Sequence, residues 1–277
     1  MRLIIYMIKR LLLSKTIWGW GFAFVIFWAA MGAFLLSSDV PKLQDVDYMY
    51  TASWAGTVII FSLGAIGTSI TYVVTYQSGG LPHMLRFSKL TPQYYLLSIY
   101  LGALVVISVI GLITLSIVGA MFSAHFGIPL YPRNMFAETG EILLAALLMT
   151  SLSLLLNVAI VKISRKAQNL ISFVPLLLSF LFGYGYIYLN LGNLTYLSPY
   201  TAIDSLLIQG YVNHPIPLDL SAFVISNLNN GQLNYLGSLN PIYAVLSAMM
   251  WFLLFTAISI PLVRSLYYRP LEESRIA

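Results

Sequence analysis

The feature that most constrains this chain is a set of long apolar runs containing no charged residue. They cover residues 17–36, 52–76, 95–122, 142–161, 170–191 and 242–263. A helix needs about 20 mainly apolar residues to cross the hydrocarbon core of a bilayer. Strands of a membrane barrel are about ten residues long and alternate apolar with polar, which these runs do not. Charged residues make up only 8% of the 277 residues, against about a quarter in soluble domains. The expected fold is therefore an all-α integral membrane protein with six transmembrane helices, forming a single membrane domain over residues 1–277.

The placement of the charges orients these helices. Arg2, Lys9, Arg10 and Lys15 precede the first run, Arg86 and Lys89 follow the second, and Lys162, Arg165 and Lys166 follow the fourth. Arg264, Arg269 and Arg275 follow the sixth, while only Lys42 and Arg133 fall in the alternate loops. Basic residues concentrate in cytoplasmic loops, so both termini are expected in the cytoplasm of a multi-pass plasma-membrane protein. The net charge of +5 thus follows membrane topology and does not imply a nucleic-acid partner.

Ahead of the first run, Arg2, Tyr6 and Lys9 share one helical face, with Arg10 beside them and apolar residues around the rest. This pattern fits an amphipathic helix at the lipid interface, or else an extension of the first span. Residues 192–240 form a long outer segment without Lys or Arg. Within it, 202–209 and 220–228 read as short helices lying on, or dipping into, the outer leaflet.

The chemistry-bearing motifs are sparse. There is no cysteine, which excludes disulfides and thiolate sites, and His83, His125 and His214 are scattered, so no metal site is expected. No catalytic residue is assigned. No Gly-Lys dipeptide occurs, so the phosphate-cradling loop of an ATPase is absent. Gly64, Thr68 and Thr71 recur at helical spacing on the second span, and Asn157 lies deep in the fourth. Small and polar residues of this kind serve either close helix packing or a substrate path. Glu138 and Glu141 sit at the start of the fourth span, where a helix N-terminus favours negative charge, the alternative being an ion site.

The loop between the second and third spans carries a resemblance. Gly80-Leu81, Met84-Leu85, Thr91-Pro92 and Tyr95-Leu96-Leu97, in that order, resemble the corresponding loop of type-2 ATP-binding-cassette exporter permeases. After the fifth span, the stretch from Ser198-Pro199 through Thr201 to Asp204 and Leu206 is similar to a second motif of that family. The resemblance implies a short cytoplasmic coupling helix formed by Gly79, Gly80, Leu81, Pro82, His83, Met84, Leu85, Arg86, Phe87, Ser88 and Thr91. It also implies an ABC ATPase subunit that uses ATP and magnesium, and a second permease copy or a homologous permease. The chain itself would bind no cofactor and would contact membrane lipid. Gln77 and Ser78 depart from the Glu and Arg usual in the family, which removes a charge from the coupling loop.

Two other functions are compatible with such a chain. An ion-coupled secondary transporter needs a buried ionisable site near the midplane. An intramembrane lipid-modifying enzyme would draw its catalyst from Asp204, His214 or Asp219. The scarcity of charge inside the runs favours an apolar or amphipathic cargo over an inorganic ion.

Overall fold

The computed structural model describes residues 2–38, 40, 43–78, 87, 90–160, 170–185, 191–218 and 238–267. In chain order the helices are α1 (Arg2–Leu12), α2 (Lys15–Leu35), α3 (Gln44–Ser78), α4 (Pro92–Phe126), α5 (Met135–Ile160), α6 (Val174–Tyr184), α7 (Pro199–Val212) and α8 (Pro241–Tyr267). No strand occurs among the described residues. Five of these helices, α2, α3, α4, α5 and α8, are long and apolar enough to cross a membrane. Their outward side chains include Phe27, Leu35, Leu246 and Leu253, all more than half exposed. Apolar surface on this scale is stable against lipid and not against water. The chain is a helical membrane-embedded protein.

Of the expected fifth span, 170–191, residues 170–185 and 191 are described, with apolar helix over Val174–Tyr184. Pro175 stands in the first turn of α6, where its missing N–H is harmless, and Ser179–Tyr184 widens into π-type turns. A 3₁₀ turn at Gly192–Tyr196 then leads into α7. Thr201 Oγ1 donates to the Thr195 carbonyl at 2.8 Å, and the Thr201 amide donates to Ser198 Oγ at 3.5 Å. These bonds satisfy backbone that an irregular segment leaves open.

Helix α7 is buried between α3, α5 and α8, so it is an interior element and does not lie on the surface of the bundle. The second predicted piece of that segment, 220–228, is outside the described residues, as are Asp219, His83, Gly79–Arg86, Ser88 and the basic positions 269 and 275.

Helix α3 is the axis of the molecule. It packs against α2, α4, α5, α6 and α7, and its apolar side chains from Ala52 to Ile70 are buried. Neighbouring backbones approach it through small residues, as expected of helices in lipid. A Cβ on Gly64 would fall 2.2 Å from Ser179 Oγ of α6, and one on Gly67 3.1 Å from Ser153 Oγ of α5. Ser153 Oγ donates to the Gly67 carbonyl at 2.9 Å, and Asn157 Nδ2 donates to the Thr71 carbonyl at 3.2 Å. Thr68 Oγ1 bonds back to the Gly64 carbonyl at 3.1 Å.

At one end of the bundle, α1 is a helix of its own, separated from α2 at Leu13 and Ser14, which removes the reading as a continuous first span. Met7 and Leu11 are buried, and Gly102 of α4 accommodates Met7 with a would-be Cβ 3.2 Å away. Tyr6 and Lys9 lie on the opposite, exposed face, while Arg10 is half-buried. Trp18 Nε1 donates to the Leu12 carbonyl at 2.5 Å and pins the corner between α1 and α2.

The loops predicted to be external meet at the other end. Ser37 Oγ is 2.9 Å from His125 Nε2, Tyr48 Oη donates to the Tyr131 carbonyl, and the Leu239 amide donates to the Ile216 carbonyl. Here His125, also edge-on to Phe34, is a structural group.

Because Gly64 and Ser179 touch, their contributions to stability are coupled. Gly64→Ala is expected to destabilise the protein by about 1–3 kcal/mol through overpacking. Combining it with Ser179→Gly should cost less than the sum of the single changes. Thermal unfolding of the three variants in detergent measures this coupling, and strict additivity would place the two residues out of contact.

Candidate functional site

The predicted outer end is closed by a small polar lattice that joins α3, α5 and α7. Asn134 caps α5, its Oδ1 accepting from the Ala137 amide at 3.0 Å, while its Nδ2 donates to Asn213 Oδ1 at 3.1 Å. Asn213 stops α7 in the left-handed conformation, φ 53°, which asparagine tolerates better than most residues. The Arg133 amide donates to the Tyr211 carbonyl at 2.9 Å. Tyr211 Oη donates to the Leu130 carbonyl at 2.6 Å, and Tyr48 Oη lies 3.1 Å from the Tyr211 carbonyl. The Arg133 guanidinium sits over the Tyr48 ring, 4.5 Å from its centroid, in a cation–π contact.

Above this lattice opens a cleft of about 250 Å³ whose lining includes Asp45, Tyr48, Arg133, His214 and Pro215. Below it lie carboxyl groups. Glu138 and Glu141 stand one turn apart on α5, with their carboxyls within hydrogen-bonding reach of each other. Glu138 is 0% exposed. Neither of its carboxyl oxygens has a hydrogen-bond partner among the described residues, nor does Glu141 Oε2. Glu141 fits a notch at Gly210 of α7, where a Cβ would fall 2.2 Å from Oε2.

Asp204, 0% exposed, occupies a second notch, with Oδ1 2.5 Å from the position a Cβ on Gly56 would take. Gly56 is eight residues along α3 from Tyr48, about 12 Å at helical rise. Both Asp204 oxygens are unpartnered among the described residues. A charged carboxyl enclosed in this way loses its hydration with nothing to replace it.

The expected site residues fall into separate places. Gly64, Thr68, Thr71 and Asn157 belong to the α3 packing seams described above. Of the coupling loop, Phe87 and Thr91 are described: Phe87 is 76% exposed, and Thr91 caps α4 by accepting from the Tyr94 amide at 3.3 Å. Asp204 and His214 are not brought together, since Asp204 is enclosed and His214 is exposed at the cleft.

Sequence reasoning placed Glu138 and Glu141 at the start of the fourth span without locating the cover that α7 provides. The signal was the i, i+3 spacing of two acids just ahead of an apolar run. No protein-family model matches the chain, and no curated protein matches it in sequence.

Proposed function

We propose that this chain is the membrane permease subunit of an ATP-binding-cassette exporter. It crosses the plasma membrane six times with both termini in the cytoplasm, residues 170–191 making the fifth pass. Two copies, or this chain and a homologous permease, pair with ABC ATPase subunits that use ATP and magnesium. An apolar or amphipathic cargo moves outward between them.

The observation that supports this reading best is the arrangement around the start of α4. The exposed Phe87 precedes Thr91, the cap of α4, and α1 packs along α4, at the end remote from the outer lattice. A cytoplasmic docking element followed by a rigid helix is what conversion of ATPase closure into membrane movement requires.

The docking assignment has a direct test. Replacing Met84, Leu85 and Phe87 together with aspartate should abolish ATP-dependent transport while the inserted protein keeps its fold. Wild-type transport by that variant would reject the assignment.

The buried carboxyls Glu138 and Asp204, with the half-buried Glu141, favour a second reading, an ion-coupled secondary transporter, because ionisable groups inside a bundle commonly mark ion pathways. Proteoliposomes holding the chain alone separate the two. The exporter reading expects no movement of an amphipathic dye under an imposed pH gradient; uptake there would replace it with the second reading.

A further inference from the structure

Beneath the outer cleft, the carboxyl groups are arranged in order of depth. Glu138 stands in the first turn of α5, just past Arg133 of the cleft and the cap Asn134, and Glu141 faces Gly210. Asp204 lies deeper, against Gly56. A carboxylate only accepts hydrogen bonds, whereas a carboxylic acid also donates one. Two facing carboxyls with no other donor are therefore satisfied by one proton held between them. A single carboxyl enclosed without any donor costs far less to bury as the neutral acid than as the anion.

We propose that Glu138 and Glu141 form a proton-binding pair that exchanges with water in the outer cleft, and that Asp204 holds a second proton beneath it. The bond formed is an O–H on a carboxylate oxygen, the proton comes from bulk water, and it returns there on release. The occupant is a proton and not a metal ion. No group of three or more potential ligands capable of holding a metal occurs among the described residues, whereas calcium takes six to eight oxygens.

The titratable and charged groups gathered at this end are Tyr48 from α3, Tyr211 from α7, and Tyr131 and Arg133 from the loop before α5, which contact one another, with Asp45 and His214 at the cleft. The Arg133 guanidinium is stacked over Tyr48 and held at the cleft. The two glycine notches make the arrangement specific, because any side chain at residue 56 or 210 would displace a carboxyl.

The site belongs to the chain itself and holds whether or not an ATPase drives transport. The test is infrared spectroscopy of the full chain in lipid nanodiscs, without any ATPase, reading the carboxylic-acid C=O absorption as pH is raised through neutrality. The wild type is expected to show this absorption at neutral pH, with one component that fades on alkalinisation and one that persists. Glu141→Gln should remove the fading component and Asp204→Asn the persistent one, each lowering the signal by about half.

Isotope-labelled glutamate and aspartate in the wild type provide the same assignment should a variant fail to fold. No acid absorption at neutral pH, or a full signal in both variants, would overturn the proposal. Abolition of the signal by sodium or calcium ions would also overturn it, in favour of a metal cation.

Discussion

The enclosure of α3 is the constraint on which the rest of the structure depends. A helix surrounded by neighbours in lipid gains little from expelling apolar side chains, since lipid is as apolar as they are. It must be held by close backbone approach and by hydrogen bonds between helices. Gly64, Gly67, Ser153, Ser179 and Asn157 provide both along the lower part of α3. Stacked aromatic rings join them, with Phe61 and Phe180 only 4.1 Å apart between centroids.

That enclosure explains the divided region between α5 and α8. Helix α6 packs against the Gly64–Gly67 stretch of α3, and α7 packs against the part around Gly56. One continuous straight helix would have to present the right small residues over the whole length. Helices α6 and α7, with the Gly192–Tyr196 turn leading into α7, meet α3 at separate places. The open backbone at the junction is tolerated because Thr201 and Ser198 bond it internally, as non-helical segments inside membranes require.

Helix α7 also changes the chemistry of its neighbours. It brings Asp204 against α3 and covers Glu141 of α5, so acids that would be hydrated at a helix end become interior groups. At the cleft above, Arg133 interacts with Tyr48. The same packing that completes the bundle thus creates a place where protonation and structure are linked, close to the end at which the predicted external loops meet.

Much of the fold was legible in the residues. Five apolar runs correspond to long helices because the thickness of a bilayer fixes their length and composition. Thr91-Pro92 and Ser198-Pro199 begin α4 and α7, since a side-chain cap followed by proline is a local signal that needs no tertiary partner. The separate α1 was visible as an amphipathic pattern, although its division from α2 at Ser14 was not.

The site was much less legible: Glu138 and Glu141 have the same sequence signature whether their helix end is hydrated or covered. The chain alone determined where helices form and which residues are apolar, because those follow from local propensity and from the dimensions of the membrane. Only the tertiary structure decided that α7 lies inside the bundle and that Gly56 and Gly210 receive Asp204 and Glu141. Burial is a relation between segments distant in the chain, and no local pattern encodes it.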